Sequence, residues 1–199
     1  MVVVEEISKK YGENLVLDHV SFTVKKGQTL AILGESGCGK TTLLRIIAGL
    51  EKSDSGNVWI EGCRMSEKIE PCKRNLAMVF QDATLWNHMT VKKNITFAMK
   101  EKDNEKIQKL SEAFGVSDLF DRYPEEISGG QAKRISLVRA LVSDRKLLLL
   151  DEPLSNIDKE TKMKVLTYIK NHVCGEKAVV YVTHDEGEVS YLDCDVMRL

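Results

Sequence analysis

The chain has 199 residues, 43% of them hydrophobic, enough to bury the core of one domain with an embedded subdomain. Its 29 basic and 30 acidic side chains leave a formal net charge of −1. With no long block of one sign, this composition excludes the electrostatic footprint of a nucleic-acid or anionic-lipid binder. The opening run MVVVEEISKK meets two glutamates after three valines, too short for a signal-peptide core, and no later apolar run approaches a membrane span.

The first predicted elements are short strands: VVVEEI, then HVSFTV, in which Val20, Phe22 and Val24 alternate with polar neighbours, then TLAIL after the Lys26-Gly27 turn. GESGCGKTT follows at 34–42 and runs into KTTLLRIIAGL, predicted helical from the spacing of Leu43, Leu44, Ile47 and Leu50, with Gly49 near its end. Gly34, Gly39, Lys40 and Thr41 fit GxxxxGK[ST], with Gly37 inside the loop and Glu35, Ser36, Cys38 and Thr42 completing it. Glycines let successive N–H groups converge on phosphate oxygens, and the helix start adds the positive end of its dipole. Lys40 would then reach the β- and γ-phosphates of a nucleoside triphosphate and Thr41 would ligate Mg²⁺.

VWIEG and LAMVF read as further strands, and residues 90–122, polar and helix-prone up to the breaker Pro124, as a small helical lobe. In ISGGQ, Ser128 can cap a helix from about Gly129 onward, while Gly129 and Gly130 expose N–H groups ahead of Gln131. One phosphate loop already envelops its own nucleotide from one side. The natural use of this second anion-facing turn is therefore to cover a nucleotide held by another copy, in a twofold head-to-tail pair.

KLLLLDEP reads as a buried strand that delivers Asp151 and Glu152 to its end: Asp151 suits a Mg²⁺ shell and Glu152 could polarise an attacking water. DKETKMKVLTYIKNHV is predicted as an amphipathic helix with Met163, Leu166, Ile169 and Val173 on one face, and AVVYVTHDE as another buried strand. Alternating buried strands and helices imply a parallel sheet covered on both sides, with the loops at the strand C-terminal ends free to build a site. The five cysteines are odd in number and show no CxxC pairing, which points to free thiols in a cytosolic compartment. The four histidines are too scattered for a local metal pattern.

In this order, the motifs resemble those of the nucleotide-binding subunits of ABC transporters over essentially the whole chain. GESGCGKTT looks like their Walker A, LLLLDEP their Walker B with catalytic glutamate, and ISGGQ their signature, with Ile127 where leucine is usual. Gln81 in VFQD matches the Q-loop, SNID the D-loop, His184 in VTHDE the switch histidine, and Tyr11 the aromatic that stacks on adenine. The resemblance implies an α/β fold: a P-loop NTPase core with a mainly parallel sheet flanked by helices, an N-terminal antiparallel β subdomain and a small helical subdomain. The core would take residues 1–81 and 146–199, and the helical signature subdomain about 82–145.

The resemblance further implies ATP and Mg²⁺ as cofactors, with Thr41, Gln81 and Asp151 at the metal, and catalysis by Glu152, His184, Gln81 and Lys40. It implies an ATP-dependent head-to-tail homodimer on the cytoplasmic face of the cell membrane, bound to integral membrane permease subunits and through them to a solute-binding protein. No nucleic-acid partner is expected. Asp158 would reach across the dimer or serve only as a helix N-cap. Leu85, Trp86, Met89 and Val91 would line a groove for a short permease helix or pack inside the helical lobe. The Q-loop segment points to uptake, although exporter-type, lipoprotein-release and soluble ABC ATPases share these motifs. Two departures stand out: Asn156 replaces the usual alanine of the D-loop, and QAKR replaces the commoner glutamine pair after the signature.

Overall fold

The computed structural model describes residues 1–99, 101 and 103–199. They form two compact units, one of residues 1–78, 145–151 and 172–199, the other of residues 79–144 and 152–171.

The first unit begins with β1 (Val2–Tyr11) and β2 (Asn14–Val24), an antiparallel pair longer than the apolar alternation alone marks out. β3 (Thr29–Leu33) leads through the glycine loop into α1 (Lys40–Ala48). β4 (Ser55–Ile60) pairs with β1 and with the two-residue β5 (Cys63–Arg64), completing an antiparallel sheet in the order β2-β1-β4-β5. Val20 and Val24 are buried and Phe22 packs against the same core, as their alternation requires.

Leu43, Leu44 and Ile47 are buried in α1, but Leu50 is 50% exposed, against the sequence expectation, and Ile46 is buried. The reason is local. Gly49 adopts φ 78° and ends the helix, its N–H and that of Leu50 returning to the carbonyls of Ile46 and Arg45. A Cβ at Gly49 would stand 2.4 Å from the Arg74 guanidinium. That guanidinium is buried and donates to the carbonyls of Ile46 and Ile47 at 3.2 and 3.0 Å, capping the negative end of α1. Leu50 therefore lies beyond the helix and off its face.

β6 (Leu76–Val79) opens the second sheet, which also contains β7 (Leu147–Asp151), β8 (Ala178–Thr183) and β9 (Asp195–Arg198) in the order β6-β7-β8-β3-β9. The β7–β8, β8–β3 and β3–β9 pairs are parallel. One face of this sheet, with Ile32, Leu147, Leu149, Val180 and Val182, shares a core with α1 and the antiparallel sheet. On the other, Ala31 and Leu33 pack with Val189 of α6 (Glu186–Leu192). The parallel sheet with flanking helices and the separate antiparallel sheet are those the sequence implies.

The second unit contains α2 (Val91–Thr96), α3 (Asn104–Ala113), α4 (Gly129–Val142) and most of α5 (Lys159–His172). Among the described residues the helix-prone stretch 90–122 thus resolves into two α-helices and a 3-10 turn at Ser117–Leu119, and Lys100 and Lys102 within it lie outside the described residues. On α5 the sequence expectation needs correction: Val165, Leu166 and Ile169 are buried, whereas Met163 is 39% exposed and Val173, though buried, follows the helix end. Phe114 packs edge-on to Tyr168, with ring centroids 5.4 Å apart. No described helix is long and apolar enough to cross a membrane.

Candidate functional site

Three neighbouring strands of the first unit stop on one edge of the parallel sheet. Asp151 of β7 lies opposite Val182, and Leu33 of β3 opposite Thr183 of β8. The chain leaves these ends into the glycine loop, into Glu152 and into His184, so Gly34, Asp151 and His184 share one edge, the place where parallel sheets bind ligands.

Within the loop, Gly39 has φ 101°, and a Cβ there would lie 2.8 Å from Val16 Cγ1 and 2.9 Å from the Val16 carbonyl oxygen. Only glycine fits. Gly39 occupies the cap position of α1 without offering a side-chain hydrogen bond, so the first N–H groups of the helix are not capped by a side chain. Lys40 is 6% exposed, and its ammonium is folded back on the loop, donating to the carbonyls of Gly34 and Glu35 at 2.7 Å each, with Cys38 Sγ at 3.7 Å. Glu35, Ser36 and Gly37 are exposed, while Thr41 and Thr42 are half-buried at the helix start. Uncapped N–H groups, a central cation and two hydroxyls make this an anion cradle.

Asp151 is 1% exposed at the end of four buried leucines. His184 is exposed, in the bend between β8 and α6. The bend is pinned on its C-terminal side: Asp185 N donates to Thr183 Oγ1 at 3.1 Å, and Asp185 Oδ1 accepts from Gly187 N at 2.8 Å as the cap of α6. Tyr11 ends β1, exposed, with Lys9 Nζ 5.3 Å from its ring centroid. Its hydroxyl donates to the Glu51 carboxylate, and this bond raises the phenol pKa above the ordinary value.

The second unit holds the remaining residues. Glu152 takes φ 43°, rare for a residue with a Cβ, and its carbonyl accepts from Ser155 N at 3.2 Å and Ser155 Oγ at 3.0 Å. Backbone strain of this kind concentrates at functional sites. Ser128 caps α4 as its sequence suggests: Ser128 Oγ accepts from Gln131 N at 3.3 Å, and Ser128 N donates to Gln131 Oε1 at 2.8 Å. Gly129 and Gly130 open the helix, and a Cβ on Gly130 would meet the Asn156 carbonyl at 3.2 Å. Asp158 Oδ1 accepts from Thr161 N at 2.9 Å at the start of α5, a bond that holds its carboxyl below the usual aspartate range. Gln81 follows β6, its side chain exposed.

Residues 17–155 match the family described as ABC transporter. The chain belongs to the ABC transporter family. Among curated ABC relatives it is 40% identical over 192 residues to the xylose/arabinose import ATP-binding protein XacJ of Haloferax volcanii, covering 92% of this chain and 50% of that one. It is 40% identical over 195 residues to the Fe(3+) ions import ATP-binding protein FbpC of Fusobacterium nucleatum, covering 94% and 52%. The chain thus spans about half the length of the curated relatives it matches. Among solved ABC structures it resembles the dimeric, post-hydrolysis ATP-binding cassette MJ0796 bound to ADP and Pi, with a TM-score of 0.83 and 27% identity over 100% of this chain and 94% of that one.

The departures from the ABC pattern have physical explanations. Asn156 has φ 62°, a left-handed conformation that asparagine tolerates better than alanine. Lys133, in the QAKR segment, is buried and bonded to backbone carbonyls of the Q-loop. Of the two readings open for the apolar residues after the Q-loop, Val91 takes the packed one, wholly buried in α2. Trp86 is instead joined at the surface by Phe97, whose ring lies 4.8 Å from it, with Leu85 and Met89 half-buried nearby in sequence. Phe97 escaped the sequence reading because its helical spacing does not distinguish an outward aromatic from an inward one.

Proposed function

We propose that this chain is the ATP-binding and ATP-hydrolysing subunit of an ABC transporter, driving solute uptake through membrane permease subunits. The observation that carries the reading is the shared edge on which three adjacent parallel strands end in the phosphate loop, Asp151 and His184. The glycine cradle and the buried Lys40 suit the triphosphate of ATP, and the exposed ring of Tyr11 suits its base. On the family resemblance Thr41, Asp151 and the Gln81 amide would hold Mg²⁺, being the hard oxygen donors it favours, and the bound ion would neutralise charge on the transferred phosphoryl group.

Lys40 exchanges the carbonyls of Gly34 and Glu35 for phosphate oxygens, so its charge is held ready by two hydrogen bonds to uncharged acceptors that anionic oxygens replace. Glu152 takes the proton of the attacking water, and Gln81 orients that water. His184 hydrogen-bonds the γ-phosphate and responds to its loss. In a head-to-tail pair, the Ser128–Gly130 turn of one copy, with Gln131 bracing its cap, covers the nucleotide held by the other, and Asp158 lies at the crossing. Closure and reopening of the pair would switch the permease between access states, transmitted through the surface of Leu85, Trp86, Met89 and Phe97. The import names of the curated relatives and the dimeric cassette structure support this reading. Such a subunit works at the cytoplasmic face of the membrane.

Glu152→Gln tests it. The variant should bind ATP with ordinary affinity, lose turnover and accumulate ATP-bound dimers by light scattering. Undiminished steady-state hydrolysis would overturn the assignment of the base.

A further inference from the structure

Residues 80–90, which contain Gln81, carry neither helix nor strand and are held from outside. The far half is fastened by Asn94 of α2, fully buried: its Oδ1 accepts from Trp86 N at 2.8 Å, and its Nδ2 donates to the carbonyls of Trp86, Met89 and Thr90 at 3.1 Å each. The near half is fastened by α4. Lys133, 3% exposed, donates from Nζ to the carbonyl of Phe80 at 2.9 Å and to that of Gln81. Farther along α4, Arg139 Nη2 donates to Thr84 Oγ1 at 3.2 Å, and its guanidinium lies over Trp86, 4.7 Å from the ring centroid.

Burying an ammonium is costly unless its protons are all directed at acceptors, and a methionine or leucine would fill the same space without that cost. A lysine here is therefore explained by what it holds. These two carbonyls belong to the peptide groups on either side of the Cα that carries the Gln81 side chain. Lys133 also lies less than two turns from Ser128, at the start of the same helix. We propose that Lys133 is a positioning residue for Gln81: it fastens the Q-loop to α4, so that the Gln81 segment and the Ser128–Gly130 turn move as one piece. On the ATPase reading above, on which the functional half of this inference rests, Gln81 senses the chain's own nucleotide while Ser128 covers that of a second copy. Lys133 would then tie the two nucleotides of a closed pair to a common movement.

The test is amide hydrogen exchange on the whole chain, read by mass spectrometry over residues 80–88 and 128–142, for the wild type, Lys133→Met and Lys133→Gln. Steady-state kcat and KM for ATP are measured on the same samples. Charge-assisted hydrogen bonds of this kind hold a local segment closed by a factor of roughly ten or more. Lys133→Met should raise exchange over 80–88 by about that factor while the C-terminal turns of α4 stay protected, and should lower kcat with KM little changed. Lys133→Gln, whose amide can still donate to a carbonyl, should restore both. Unchanged exchange in Lys133→Met overturns the tether. So does failure of Lys133→Gln to restore it, a comparison that holds even if the methionine variant does not accumulate. Raised exchange with unaltered kcat overturns the positioning role. A wild-type chain without ATPase activity would instead count against the proposed function, leaving the exchange result to judge the tether.

Discussion

Tyr181 lies on β8, fully buried, and its hydroxyl donates to Glu188 Oε2 on α6 at 2.7 Å, also buried. The bond closes a short loop of chain that has His184 near its middle, and it anchors a seven-residue helix too short to persist alone. Tyr181→Phe keeps the ring and deletes the donor. A charge-assisted hydrogen bond is worth about 1.5–3 kcal/mol. For a chain of this size each kcal/mol moves Tm by about 2–4 °C, so the variant should melt roughly 5–10 °C lower at pH 7.

The deficit should also depend on pH in a calculable way. Burial, and then the neighbouring Glu188 carboxylate, push the Tyr181 pKa well above its ordinary value near 10. In the unfolded chain the phenol loses its proton near pH 10, whereas in the native state it keeps it. The native state therefore binds more protons above pH 10, and wild-type stability falls by about 1.4 kcal/mol per pH unit there. This contribution is whole below the unfolded pKa and is lost as pH rises toward the folded one. The phenylalanine variant lacks the term. Urea midpoints followed by circular dichroism at pH 7, 9, 10.5 and 11 should thus show a constant deficit up to pH 9 and a shrinking one above 10. Parallel curves across the whole range would refute the reasoning.

Two further outcomes follow from the geometry. Asn156→Ala, although alanine is the commoner residue of the family at this place, should destabilise by about 1 kcal/mol because φ is 62°, whereas Asn156→Gly should cost less; equal melting temperatures for the two would contradict this. Alkylation of Cys38, whose Sγ lies 3.7 Å from Lys40 Nζ, should abolish binding of a fluorescent ATP analogue, and prior ATP should protect the thiol. Full affinity after stoichiometric modification would reject the placement of the nucleotide.

The glycine loop and the strands that end beside it were legible because their signals are local. Glycines at fixed offsets, a run of four leucines and a Ser-Gly-Gly-Gln cap each act through their nearest neighbours in the chain. The parallel sheet was legible for the same reason, since its strands are unbroken apolar runs alternating with helices, whereas the separate antiparallel sheet was expected only from the family resemblance.

Tertiary structure alone decided which side of an element faces inward and what a polar residue holds. Periodicity places Met163 and Val165 on nearly equal terms, and only the packing of α5 buries the second and exposes the first. Leu50 continues the spacing of α1, yet Gly49 and the Arg74 guanidinium end the helix before it. Val91 is buried and Phe97 exposed, a division that a helix pattern leaves open because it does not state what covers either residue. Nothing local in the sequence marks Lys133 and Glu188 for burial, since their partners, the Phe80 carbonyl and the Tyr181 hydroxyl, are brought to them by the fold. The sequence by itself determines where the chain turns, caps and pairs, because those interactions span a few residues. Burial of a charge is settled by atoms distant along the chain, whose arrival no local pattern encodes.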